Sequence, residues 1–398
     1  MWIQWNLAFC FISGLTSLAS SYSLLSDRSL HAIPDPGSDF DINNGALLAP
    51  ILVPRIPGTP GSLAVLQHFV TFFRTSLPQW SLEFQNSTST TPATGERQVP
   101  FVNLIATRDP PWSSPGEVSR LALVAHYDSK MTPEGFIGAT DSAAPCAMLM
   151  HAARSIDGAL TRKWAAMKAD GDMGDGIEAQ KGVQIILLDG EEAFINWSDT
   201  DSLYGARALA ETWETARNPA MSTFHSPLAS ISLFLLLDLL GAANPRVPSY
   251  FITTHWAYKA MASIESRLRD LQELKSSPDH RSRRGASDSR ETEPTFLVES
   301  NKADSQFRGA FVLDDHVPFM ARGVEVLHII PTPFPAVWHT SRDDGEHLDI
   351  DTVEDWAKLT TAFAAEWLDL EGYLEIERVG ENAMRSVGPD NVQRKSEL

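Results

Sequence analysis

Cysteine is almost missing from this chain: its 398 residues include two, Cys10 and Cys146. Cys10 lies in an N-terminal apolar stretch that reads as a leader, so a mature chain would keep Cys146 alone and could form no internal disulfide. A disulfide-stapled scaffold is therefore excluded. The fold must rest on an apolar core, for which this length and 43% hydrophobic residues suffice. Positive charge is also scarce. Against 51 Asp and Glu stand 32 Lys and Arg, a formal net charge of −19, which repels phosphate backbones and argues against nucleic-acid partners. After the N-terminus no uncharged apolar run reaches the roughly 18 residues of a membrane span. No internal repeat is evident.

Residues 1–21 carry an apolar stretch from Leu7 to Ala19 followed by small residues, with Ser17 and Ala19, or Ala19 and Ser21, in a small-x-small cleavage pattern. No Lys or Arg precedes the run. The expectation is a cleaved signal peptide over 1–21 and a secreted protein; a retained N-terminal anchor is the alternative. Asn86-Ser87-Thr88 is a glycosylation sequon in a Ser/Thr-rich stretch that suits a surface loop. Asn196-Trp197-Ser198 also matches but falls among the chemistry-bearing residues, and is expected to stay unmodified.

Residues 22–60, rich in Pro, Gly and Asp, read as an extended surface segment. Apolar spacing predicts a helix over 62–77. Short apolar runs predict buried strands at 121–128, 183–190, 230–241, 249–255 and 324–331, alternating with helices at 141–156, 201–213, 256–274 and 351–370. Asp141 is placed to cap the helix that follows it. This alternation predicts one α/β domain over 61–373, with a largely parallel sheet covered by helices on both faces. Loop insertions are expected at 168–182 and 275–305, the latter flexible, with a disordered tail over 377–398.

Polar clusters stand where the apolar strands end: His126-Tyr127-Asp128, Asp141, Asp189-Gly190-Glu191-Glu192, Asp238 and His339. Ligands of open α/β sheets bind outside the carboxyl ends of the strands, so these residues would converge in one cleft. Each has a plainer explanation alone. Asp141 could merely cap a helix, Glu191 and Glu192 could sit in solvent at a helix start, and His126 and His339 could be structural. Asp238, inside FLLLDLLG, must be buried. Buried carboxylates without partners are costly, and a cation bound by Asp, Glu and His resolves the cost.

The clusters sit in longer phrases: AHYDSK (125–130), GATDSAAPCAMLM (138–150), LLDGEEAFINWSDTDSLYGARALA (187–210), LLLDLLGAANP (235–245) and DDHVPFMARGVEVLHIIPTPFPAVWHT (314–340). Over roughly residues 60–372 the chain resembles the glutaminyl-peptide cyclotransferases, within the wider clan of zinc aminopeptidases. The resemblance implies a three-layer sandwich with a mixed, largely parallel sheet. It also implies an acyltransferase that closes N-terminal glutamine to pyroglutamate and releases ammonia, with N-terminal glutamate as a second possible substrate. It implies one zinc ion on Asp141, Glu192 and His339, with Glu191 as general acid and base and Asp238 and Asp314 as the acidic pair that supports the reacting groups. Trp197, Phe334 and Trp338 correspond to pocket aromatics and His328 to a pocket-side histidine. His126 and Asp238 match the further ligands that two-zinc aminopeptidases use. Asp314 beside Asp315 suggests a shared-proton hydrogen bond with Asp238. The chain departs from the animal secretory enzymes at Ala125, where those often carry a cysteine paired with the one in the APCAM phrase; Cys146 should thus be a free, buried thiol. Peptide substrates, a monomer and no membrane contact after leader cleavage complete the expectation. A secreted zinc aminopeptidase and a peptide-binding module with a degenerate site are the alternatives.

Overall fold

The computed structural model describes residues 23–173, 180–283, 293–307 and 312–375. The leader, the tail over 377–398 and the middle of each expected insertion lie outside the described residues.

In chain order the elements are α1 (Asp27–His31), α2 (Pro60–Ser76), β1 (Ser81–Ser89), β2 (Val99–Arg108), β3 (Val118–His126), α3 (Ala144–Ala169), β4 (Gln180–Leu188), α4 (Tyr204–Thr215), β5 (Ile231–Leu237), α5 (His255–Asp270), α6 (Pro278–Arg283), α7 (Val317–Met320), β6 (Val326–Ile329) and α8 (Ile350–Trp367). The helix expected over 62–77 starts where Thr59 accepts from the Ser62 N–H and Pro60 pre-sets the first turn. It buries Val65, Leu66, Phe69, Val70, Phe72 and Phe73, one apolar stripe.

Six strands form one sheet in the order β1-β2-β4-β3-β5-β6. The β4-β3-β5-β6 pairings are parallel, whereas β1 and β2 join antiparallel at one edge. Alternate strand residues face two different cores. Leu121, Leu123, Val183, Ile185, Leu187, Leu233 and Leu235 pack with α2, α3, α5 and α8. Ala122, Val124, Ile186, Phe234 and Leu236 pack with α4 and α7. The sheet is thus the middle of three layers, which explains why its parallel strands read as unbroken apolar runs. Truncating a fully buried residue such as Leu235 to Ala would cost roughly 2–5 kcal/mol.

Several expectations are corrected. β1 and β2 add an edge hairpin, and Asn86 lies exposed in that edge strand instead of in a loop. The stretch 249–255 is not a strand: beside edge strand β6, the Tyr250 and Thr254 hydroxyls donate to the Ile330 and Val326 carbonyls, so side chains replace a ladder. Residues 23–60 do not merely wrap the surface, because Leu30, Phe40, Leu48, Ile51 and Arg55 are fully buried. In the region expected to be flexible, Ser276, Ser277, Phe296 and Leu297 are buried, and α6 forms. At 168–182, α3 and β4 extend into the expected insertion from both sides.

Candidate active site and metal centre

β3, β4, β5 and β6 are parallel and end at one edge of the sheet. β3 ends on His126, β4 is followed by Asp189-Gly190-Glu191-Glu192 and β5 by Asp238. Gly190 makes the turn after β4 with φ of 75°, and a Cβ there would stand 2.4 Å from the Phe101 ring. Asp128 accepts from the backbone N–H groups of Glu191 (3.0 Å) and Glu192 (3.1 Å), which fixes the two adjacent carboxylates.

Asp141 does not cap α3. It lies in an irregular turn before the helix (φ −120°, ψ 75°), where no side-chain cap forms. Its carboxylate instead meets His126 Nε2 at 3.0 Å and His339 Nε2 at 3.3 Å. His339 is itself in the left-handed region, with φ of 55°, a strained position for a residue with a side chain. That backbone brings its ring to Asp141 and, at 3.4 Å, to Glu192 Oε1. Glu192 Oε1 is buried and, apart from that contact, has no hydrogen-bond partner among the described residues. Ligand atoms of Asp141, Glu192 and His339 lie within 4.8 Å of one another, as do those of His126, Asp141 and Asp238. One imidazole nitrogen and two carboxylate oxygens fit the three-ligand set of an open zinc site.

The electrostatics agree. Burial, with the carboxylates of Glu192, Asp314 and Asp315, holds the Glu191 carboxyl well above its usual range despite His126 nearby. Burial and Asp141 push Glu192 up to about 7. Burial alone would lower His339, but Asp141 and Glu192 raise it to about 9. A protein that gathers this many buried acids in one place is arranged for positive charge.

The cleft above them encloses about 460 Å³. Glu191, Glu192, Asp141, Asp238 and His339 form its polar floor, and Trp197, Phe334 and Trp338 stand in its walls. Phe334 meets Trp338 edge-on at 4.8 Å, and Trp338 stacks on His339.

Two expected members lie deeper. His328 is 1% exposed and lines no part of the cleft: its Nε2 contacts Asp314 at 2.7 Å, and burial lowers it to about 4. It is a backing residue of Asp314, not a pocket wall, because β6 directs it under the floor. Asp314 is likewise buried, and burial together with the neighbouring Asp238 carboxylate holds its carboxyl well above the usual range. Asp238 Oδ1 accepts from the Ser142 hydroxyl and the Leu239 N–H, while Asp314 pairs with His328 and accepts from the Asp315 N–H. Cys146 is free and buried, with its thiol on the His126 carbonyl. Asp128, a member of the first strand-end cluster, joins the site as expected, and so do Ser142, Arg55 and Lys130, whose Nζ lies 3.3 Å from Glu192, although sequence reasoning does not single these three out. Asp128 and Lys130 lie in view within AHYDSK; Arg55 gives no local signal.

An α/β sheet carrying Asp, Glu and His at its strand ends matches the profile of peptidase family M28 over residues 103–364, and the chain belongs to that family. A zinc-dependent exopeptidase from Parabacteroides distasonis shares the fold, with a TM-score of 0.53 at 19% identity, covering 83% of this chain and 98% of that one. Within the family, the chain belongs to the glutaminyl-peptide cyclotransferases. It is 37% identical to the Bothrops jararaca glutaminyl-peptide cyclotransferase over 329 residues, 81% of this chain and 80% of the relative. The crystal structure of Macrostomum lignano glutaminyl cyclase superposes with a TM-score of 0.69 at 29% identity, over 89% of this chain and 97% of that one.

Proposed function

We propose that this chain is a zinc-dependent glutaminyl-peptide cyclotransferase that converts the N-terminal glutamine of peptides and proteins to pyroglutamate with release of ammonia. The observation that carries this reading is Glu191, held by Asp128 beside a three-residue metal set at the floor of an aromatic-walled cleft.

Asp141, Glu192 and His339 would hold one zinc ion, which when bound supplies a Lewis acid for the γ-carboxamide oxygen. The cleft admits the glutamine side chain between Trp197, Phe334 and Trp338, and excludes water from its amide. Asp238 Oδ1 is committed to Ser142 and Leu239, so its other oxygen serves the substrate's α-amine. The amine nitrogen attacks the side-chain carbonyl carbon within the same molecule, so no second reactant must be bound. Glu191 takes the amine's proton and returns it to the leaving nitrogen; the carbon–nitrogen bond of the amide breaks and ammonia departs. Asp314, backed by His328, is a buried acid beside Glu191 and Asp238, and burial and Asp238 hold its own carboxyl well above the usual range.

His126, Asp141 and Asp238 form a second triad of possible ligand atoms, so the single-ion reading is tested by counting zinc per chain in the purified protein. Among the described residues no helix is long and apolar enough to cross a membrane. The leader supports secretion, and the reading is of a monomer acting on peptides, with N-terminal glutamate a second substrate to assay. The exposed Asn86 is the better glycan acceptor, since Asn196 lines the cleft.

Mass spectrometry of a Gln-Xaa peptide incubated with the purified protein tests the activity. Loss of one ammonia from an otherwise intact peptide, blocked by a heterocyclic chelator and restored by zinc, is expected. Loss of the whole first residue would establish the aminopeptidase instead.

A further inference from the structure

Arg55 stands out in the N-terminal segment because its charge lies wholly inside the protein, at 0% exposure. The five N–H groups of its guanidinium lie within hydrogen-bond reach of six backbone carbonyls in three separate pieces of chain, two of the carbonyls sharing one N–H of Nη1. Nε reaches Tyr127 O at 2.6 Å and Nη2 reaches Asp128 O at 3.3 Å, both in the stretch that follows β3. Nη1 reaches Ile137 O at 2.5 Å and Nη2 reaches Gly138 O at 3.2 Å, at the entry to the Asp141 turn. Nη1 also donates to Ile51 O and Val53 O, closing its own segment around the cation.

The stretches at 127–128 and 137–138 both lead directly to the site. Asp128, held through its carbonyl, uses its carboxylate to fix the N–H groups of Glu191 and Glu192. Gly138 has φ of 64°, and a Cβ there would lie 2.1 Å from Asp141 O, so this turn is tight and its carbonyl direction sets where Asp141 points. The buried positive charge also faces Asp128, Asp141 and Asp343. We propose that Arg55 is a positioning residue: one planar cation that holds the Asp141 turn and the Glu191–Glu192 pair at a fixed separation, and so sets the spacing of the metal ligands. A planar fork can serve carbonyls in several directions at once, which a lysine ammonium cannot. The consequence for zinc rests on the proposed ligand set.

The test compares Arg55→Lys and Arg55→Gly with the wild type. Zinc affinity is measured by competition with a chromogenic chelator, without substrate and well below each variant's melting temperature; kcat and KM follow on a Gln peptide. The expected result is about a tenfold or greater loss of zinc affinity in Arg55→Lys, in the range that supporting residues of metal sites produce. kcat should fall while KM stays near its original value, and millimolar methylguanidinium should partly restore zinc binding to Arg55→Gly. A folded Arg55→Lys that binds zinc within about twofold of the wild type would overturn the proposal, because a merely structural arginine would cost stability alone. Should both variants fail to fold, Ser129→Ala loosens the same clamp, since Ser129 Oγ accepts the Arg55 N–H at 2.8 Å. A stable Ser129→Ala should bind zinc more weakly, and wild-type affinity there would overturn the idea. A wild type that binds zinc yet cyclises nothing would defeat the activity reading and leave this one standing.

Discussion

Acid should unfold this protein partly through a single buried histidine that does not line the cleft. His151 on α3 is 1% exposed, and Nε2 stands 3.0 Å from Pro34 O, which makes it the protonated nitrogen of a neutral ring. Nδ1 is buried with no hydrogen-bond partner among the described residues, so a second proton there finds no acceptor among them. Burial is the main cause that lowers the folded value to about 4; the Pro34 carbonyl, Asp35 and Asp39 favour the charge more weakly, and Arg154 opposes it. An unfolded histidine titrates near 6.5, so as the pH falls the unfolded chain binds the proton first. The stability this neutral ring confers is complete above about 6.5 and drains away towards about 4, at most about 3 kcal/mol in all. Against a typical net stability of about 5–15 kcal/mol that is a large fraction. Urea unfolding of the wild type and of His151→Gln, at steps between about pH 7 and 4, measures it. The glutamine can still donate to Pro34 O but cannot titrate, so the wild type's advantage should shrink by about 3 kcal/mol across that window. A difference between the two proteins that stays constant with pH would refute the reasoning.

Two further outcomes are expected. Glu191→Gln should fold and keep its zinc, yet lose turnover by roughly 10²–10⁴-fold; full activity would remove Glu191 as the acid and base. Secretion from a eukaryotic host should yield a glycopeptide at Asn86, lost in Asn86→Gln, with Asn196 unmodified; a glycan on Asn196 would contradict the place of that residue in the cleft wall.

The sequence alone carries the layer order and most of the chemistry. Apolar runs at 121–128, 183–190, 230–241 and 324–331 require strands covered on both faces, and each of the first three carries an acid or histidine in its C-terminal part. That pattern places Asp141, Glu191, Glu192, Asp238 and His339 at one edge, because strand ends of a parallel sheet share an edge. The edge hairpin is not legible in the letters, since β1 is a polar strand whose pairing partner, not its own composition, makes it a strand. The stretch 249–255 misleads for the opposite reason: it has strand-forming residues, but their hydroxyls serve β6 from outside the ladder. Only the tertiary structure decides that His328 lies beneath the floor against Asp314, that Asp238 accepts from Ser142 and Leu239, and that Asp141 is a site residue and not a helix cap. Arg55 shows why. Its six acceptors are backbone carbonyls, which every residue possesses, so nothing in the neighbouring letters marks them, and only folding brings Ile51, Tyr127 and Gly138 around one charge.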